Sequence, residues 1–359
     1  YDTITTDMSR EKYRDMIHNR YVEKKQTPPS ERNIDGSFRL YQLFHEATFL
    51  AAREEIEQAR QISGGKGALW LNVMKAIHEY KMHVRLACET GLNGIVSGAG
   101  LPLDLPELVK NQSNNGDIAL IPILSNLRGV QLVMRKWERY GRFPDAIVLE
   151  DPTRAAGHLG AGNLKSFTHE DMGKSTLEVA VPEVVEFLRT KGLNEKVPVI
   201  AAGDIVDRND ISRALELGAS GVQLGTRFLA SHESGANDAF KSGIIEARNM
   251  GDILLYNSNA MLPARGLKAS GVFPRIAGKI SQVRACAENC LVQCAYRDGE
   301  GTNAEGESFA QMCILEELAM STDNRFGARG LMFCGVSALK IHSLLTVREI
   351  MDQLLKRTI

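Results

Sequence analysis

Six short, almost wholly apolar segments alternate with helical ones between residues 68 and 228, and no other property constrains the fold of this 359-residue chain as much. ALWLNVM (68–74), GIVSGAG (94–100), IALIPILS (118–125), DAIVLED (145–151), VPVIAAGD (197–204) and GVQLGTRF (221–228) read as strands. Val84 to Thr90, Pro106 to Lys110, Val130 to Tyr140, Pro182 to Lys191 and Arg208 to Leu217 read as helices between them. Pro182 suits a first helical turn, and Gly192 a helix end. Strands that are apolar on both faces need cover on both sides. Alternation of strand and helix then means a parallel sheet. One corner recurs, in ETGLNGIVSGAG (89–100) and ELGASGVQLGTR (216–227). A repeated βα corner favours a closed barrel over an open sheet.

A closed barrel of this kind has eight strands. Residues 1–67 offer one weak candidate, Phe38 to Phe44, ahead of an amphipathic helix from Thr48 to Ile62. The expectation is an α/β fold, a TIM (β/α)8 barrel whose first one or two strands lie upstream of residue 1. Three regions follow: an N-terminal helical segment (1–67), the barrel (68–275) and a C-terminal extension or cap (276–359). Asp7 to Glu23 reads as a charged surface helix, and Asp298 to Glu307 as a glycine-rich mobile loop.

A net charge of −1 gives no global field to draw nucleic acid or a membrane surface, and no basic stripe with interleaved aromatics supplies a local one. No apolar run approaches the ~18 residues of a membrane span. Six cysteines in so long a chain do not suggest a secreted, stapled fold, so a reducing cytoplasm is expected.

In parallel βα folds the site forms at the carboxyl ends of the strands. Those ends are small or polar: Asn72, Ser97-Gly98, Ser125-Asn126, Glu150-Asp151, Gly203-Asp204 and Gly225-Thr226. Glycines after the last two strands let backbone N–H groups approach a phosphate, and the Thr226 hydroxyl adds a donor. The bland alternative is two ordinary tight turns. Asn72 can donate and accept at once, which suits a heterocycle edge, or it can satisfy a nearby backbone group. His158 sits in an Ala- and Gly-rich loop after Glu150-Asp151, where an imidazole can serve as acid or base. The other histidines read as solvated or structural.

Three segments together resemble the nitronate monooxygenases and the FMN-dependent enoyl-acyl-carrier-protein reductases that share their motifs. They are acid-x-x-x-small-small-Gly-His-x-Gly at 150–160, VPVIAAGDI at 197–205 and GASGVQLGTRFL at 218–229. LPARGLK (262–268) resembles the segment that follows the barrel in this group, and the likeness covers about residues 65–275. The resemblance implies non-covalent FMN. Gly203, Gln223, Leu224, Gly225 and Thr226 would hold its phosphate, Asn72 and Glu150 would lie near the ring, and His158 would face the substrate. It implies oxidation of alkyl nitronates with O2, or alternatively NAD(P)H-dependent reduction of an enoyl thioester. A flavin-free barrel acting as a binding or scaffold protein is the reading from a different class.

Three departures stand out: Ala156 before Gly157-His158 where a second glycine is usual, Glu150 where many members have Gln, and Asp204 where the usual residue is Gly. The last puts a carboxylate near the expected phosphate. In the extension, Cys286, Cys290 and Cys294 recur every four residues and Cys313 follows. On a helix the first three would share a face and could hold zinc or a cluster, although C-x2-C is the usual spacing and buried cysteine is common. No metal ligand is assigned. The extension could cover the site or form a homodimer contact.

Overall fold

The computed structural model describes residues 34–112, 118–158, 175–260, 262–273, 286, 288–298 and 313–355. For 34–43, Gly157, His158, Asn257 and Asp298 it describes the backbone alone. The chain opens on α1 (Ile34–Ser63) and continues through β1 (Trp70–Met74), α2 (Tyr80–Glu89), β2 (Gly94–Gly98), α3 (Leu105–Lys110), β3 (Ala119–Leu124), α4 (Leu127–Glu138) and β4 (Ile147–Glu150). After the two-residue β5 (Gly157–His158) come α5 (Leu177–Thr190), β6 (Val199–Ala202), α6 (Arg208–Glu216), β7 (Gly221–Gln223), α7 (Thr226–Leu229) and α8 (Asp238–Glu246). Then follow β8 (Ile253–Asn257), β9 (Pro263–Leu267), α9 (Ala295–Asp298), α10 (Ile314–Met320) and α11 (Val347–Leu355).

Six strands form one parallel sheet in the order β1-β2-β3-β4-β6-β7, each beside its predecessor. That sequential order is the winding of a βα barrel, and the sheet curls as part of one. All six expected strands are present, each shorter by two to five residues; the last stops at Gln223, and Thr226 to Phe228, expected to end it, belong to α7 because the chain turns at Gly225 into a helix.

Strand alternation divides the sheet into two faces. Ile95, Leu120, Leu124, Ile147, Leu149, Val199 and Ala201 point outward, into a core shared with Val84, Val130, Trp137, Val184 and Leu188 of the helices. Burying each such large side chain contributes ~1.5–3 kcal/mol. The inner face carries Val96, Ile121, Val148 and Ala202. The register continues this inner row: Asn72 pairs with Val96, and Glu150 with Ala202, which pairs with Gln223. Register partners in a parallel sheet project to the same side, so Asn72, Glu150 and Gln223 all belong to the inner face.

Some expectations are corrected. Phe38 to Phe44 is not a strand but part of α1. Phe44 and Ala47 are both buried, a spacing of three that belongs to a helix face. Pro182 is not in the first turn of its helix, because α5 starts at Leu177. Its missing N–H leaves the Glu178 carbonyl without a helical donor, and burial of Leu177, Ala180 and Val181 carries the helix through. Cys286, Cys290 and Cys294 do not share a helix, since α9 begins only at Ala295. The six cysteines are free thiols, and among the described residues no three His, Cys, Asp or Glu side chains gather as a metal would require. The expected helix at Asp7 to Glu23 and the loop around Asp298 to Glu307 lie largely outside the described residues.

A second, antiparallel sheet, β5-β9-β8, was not expected. Around it the extension builds a core of its own from Tyr256, Ala264, Val272, Leu291, Cys294, Cys313, Ile314 and Leu331. Isolated bridges join Ile77 to Leu291 and Gly266 to Phe333, so the extension is stitched to the strand ends.

Candidate active site

A cavity of about 500 Å³ lies at the carboxyl ends of the parallel strands. Asn72 and Met74 of β1, Gly98, Ile123, Glu150 and Gln223 line it from the sheet. Cys290, Leu291, Ile314, Leu315, Leu318 and Phe333 line it from the extension, and Phe44, Thr48, Glu79 and His83 from α1 and α2. The walls are mainly apolar, with a few polar groups converging. That is the common make-up of a small-molecule site, and the volume lies within the usual ~300–1000 Å³. Three residues picked out in the sequence, Asn72, Glu150 and Gln223, thus meet in one space.

Glu150 is half-buried, and its carboxyl is pushed up to about 8, first by burial and then by the neighbouring Asp151, against the opposing charge of Arg265. At neutral pH it holds its proton, so it can donate as well as accept, as an amide does. Asp151 next to it is fully buried and committed to the fold. It accepts from the Thr153 N–H at 2.8 Å, the Thr153 hydroxyl at 2.6 Å and the Leu177 N–H at 3.3 Å. Two adjacent acids therefore part ways, one facing the cavity and one fixing the loop.

That loop is held by Arg265. Its buried guanidinium donates to the Ala155 carbonyl through Nη1 and to the Pro152 carbonyl at 3.2 Å through Nη2. Strand β9 also pairs with β5, setting Gly157 opposite Arg265 and His158 opposite Ala264. His158 is thereby fixed in backbone position after β4.

The remaining residues cluster at the ends of β6 and β7, beside the cavity rather than in its walls. Gly203 has φ +107°, and a Cβ there would come within 3.1 Å of the Asp151 Cβ, so the turn needs glycine. Asp204 follows in the left-handed region at φ +57°. Leu224 packs outward against the helical core, which leaves only its backbone for a ligand. Gly225 faces open space. Thr226 is buried, and its Oγ1 accepts from the Gly335 N–H at 3.0 Å, with its hydroxyl proton still to donate.

Sequence reasoning missed Glu79 and took His83 for a solvated or structural residue. Both line the cavity. Glu79 is buried and lies 2.5 Å from His45 Nδ1, and burial pushes its carboxyl up to about 7. The signal was their spacing: Glu79, which precedes the first residue of α2, and His83, one turn into it, stand four apart, and the His83 N–H donates to the Glu79 carbonyl.

Fold and site together define a βα-barrel protein with a cavity of small-molecule size at the carboxyl ends of its parallel strands. The family model for nitronate monooxygenase matches residues 42–357. The chain belongs to the nitronate monooxygenase family. It is 38% identical over 123 residues to a probable nitronate monooxygenase of Bacillus subtilis, a match covering 34% of this chain and 32% of that protein. It is 36% identical over 196 residues to nitronate monooxygenase npaC of Metarhizium robertsii, covering 54% of this chain and 46% of that one. The chain thus matches less than half the length of these curated relatives. In fold it is similar to FabK from Thermotoga maritima, with a TM-score of 0.60 at 24% identity over 84% of this chain and 79% of that one. It is also similar to a nitroalkane oxidase from Streptomyces ansochromogenes, with a TM-score of 0.56 at 17% identity over 84% and 82%.

Proposed function

We propose that this chain forms the site of an FMN-dependent oxidoreductase that oxidises alkyl nitronates with O2. The observation that carries the reading is the convergence of Asn72, Glu150 and Gln223 on one inner face, in one cavity. The residues present fit the cofactor. A flat, largely apolar heterocycle with polar edges suits apolar walls bearing an amide, a protonated carboxyl and a second amide. The open space at Gly225 and the turn at Gly203 leave room for a phosphate beside the cavity. Bound FMN would supply the electron transfer from substrate to oxygen.

The chain's own residues would bind, orient and exclude water. Asn72 and Gln223 offer a donor and an acceptor each to the ring edge. Glu150, holding its proton, offers both from one side chain, so it can stand where an amide is more usual without adding charge. Gly203, Leu224, Gly225 and Thr226 would present backbone N–H groups, and Thr226 its hydroxyl, to the phosphate. His158 would take the α-proton of a neutral nitro compound or hold the nitro oxygens. The extension, through Ile314, Leu315, Leu318 and Phe333, would close the cavity to solvent.

Family membership supports this reading, as do the nitronate monooxygenase names of the curated relatives. No described helix is long and apolar enough to cross a membrane, and the free cysteines suit the cytoplasm. The test is direct. Purified protein should be yellow, and anaerobic addition of propionate 3-nitronate should bleach it. Bleaching by NADH or NADPH instead would move the site to the reductase reading, and colourless protein that takes up no added FMN would sink both. His158→Ala should lower turnover of neutral nitroalkane by about 100-fold with flavin content unchanged. Equal turnover would remove His158 from the chemistry.

A further inference from the structure

We infer that Lys340, far away in the extension, is a positioning residue that makes the phosphate end of the site usable despite Asp204. The inference rests on the reading of that end as a phosphate site. Asp204 directly follows the Gly203 turn, and its carboxylate would repel an anion held there. Lys340 Nζ lies 2.9 Å from Asp204 Oδ2 and draws that side chain to itself. It also donates to the Asp204 carbonyl at 3.4 Å, so both the side chain and the backbone of the turn are gripped by one ammonium. The other carboxylate oxygen, Oδ1, is buried with no hydrogen-bond partner among the described residues. Without Lys340 the carboxylate would have no opposing charge in a half-enclosed place.

The lysine does a second task. Its Nζ reaches Asp210 Oδ1 at 3.2 Å. Asp210 in turn accepts from the Val206 N–H at 3.0 Å and pairs with Arg213 at 3.6 Å. The ammonium therefore ties the turn after β6 to the first turn of α6. Two cations, Lys340 and Arg213, meet two carboxylates, Asp204 and Asp210, and the group is neutral as a whole. Lys340 is carried on a short 310 turn, Val336–Lys340. The residue before that turn, Gly335, donates its N–H to Thr226 Oγ1 at 3.0 Å. One six-residue segment thus holds both turns assigned to the phosphate, Thr226 from one end and Asp204 from the other. A Cβ at Gly335 would lie 2.7 Å from the Arg154 carbonyl, so the segment is seated against the loop after β4 as well.

Removal of the ammonium frees a negative charge beside the phosphate and loosens the turn that should cradle it. Riboflavin has the same ring and lacks the phosphate, so it separates this effect from general damage. Flavin dissociation constants from fluorescence quenching, for the full chain, read both ligands. Lys340→Ala should weaken FMN binding about tenfold or more and leave riboflavin binding within about twofold. Lys340→Arg, which keeps the charge, should bind FMN almost as wild type does. The second change is Asp204→Asn, which removes the charge and tolerates a positive φ. Added to Lys340→Ala, it should restore most of the FMN affinity. Equal losses for FMN and riboflavin in Lys340→Ala would overturn the inference. So would a double variant as weak as Lys340→Ala. If wild type binds neither flavin, the flavin reading fails by itself. Inorganic phosphate then decides: a phosphate-dependent rise in melting temperature that Lys340→Ala loses keeps the inference, and no difference between the two proteins ends it.

Discussion

At the scale of single residues, Glu150 shows how burial keeps a carboxyl neutral in a largely apolar cavity. Its carboxyl is held up to about 8 by burial, with Asp151 adding and Arg265 opposing. A group whose folded value lies above its ordinary 4.5 binds more protons folded than unfolded. The fold is therefore favoured below that ordinary value, and this contribution is lost as pH rises from 4.5 through about 8. Glu150→Gln keeps the shape and removes the titration. Thermal unfolding of flavin-stripped protein should show the variant equal to wild type at about pH 4. It should be more stable by about 1–3 kcal/mol near about pH 8.5, after screening at a half-buried site. A gain of equal size at both values would mean that Glu150 does not titrate in that window. The polar strand end at 150 was legible because it interrupts an apolar run. The proton it holds was not, since that comes from burial by distant elements, which outweighs the opposing charge of Arg265.

At the scale of elements, alternation and turn chemistry made the parallel strands readable, and the failures have physical causes. Phe38 to Phe44 looks like a strand when read alone and is helical because a longer amphipathic face continues through Ile56. The cysteines at spacings of four suggested a helix that their surroundings do not form. The β5-β9-β8 sheet was hidden because two of its strands carry function-like motifs, Gly-His and Pro-Ala-Arg, instead of an alternating pattern. Arg265 is its keystone: buried, bonded to two carbonyls of the loop after β4, and set close to Glu150 and Asp151. Arg265→Met should cost about 3–5 kcal/mol in urea unfolding, because it leaves Asp151 without this cation and the Ala155 and Pro152 carbonyls without donors. Arg265→Lys should lose less, since the charge stays and only the forked geometry goes. Equal losses for the two variants would show that the fork, and not the charge, secures the loop.

At the scale of the whole molecule, the cavity has a floor and a roof from different parts of the chain. The sheet supplies Asn72, Glu150 and Gln223, and the extension supplies Ile314, Leu315, Leu318 and Phe333. The roof was not legible in the sequence, because α10 shares no motif with the strands it covers and its position follows from bridges at Ile77 and Gly266. A ligand between the two layers must tie them together. At 100 times its dissociation constant, FMN would add about 2.7 kcal/mol to the folded state. For a chain of 359 residues that raises the melting temperature by about 3–5 °C. Where the protection falls is the sharper expectation. Hydrogen exchange with and without FMN should slow at the ends of β1, β4 and β7 and, by a comparable factor, along α10. Riboflavin should protect these same places while leaving the turns at Gly203 and Gly225 unchanged. Protection confined to the strand ends would mean that the extension packs beside the ligand and does not close over it, and that something else must exclude water from the site.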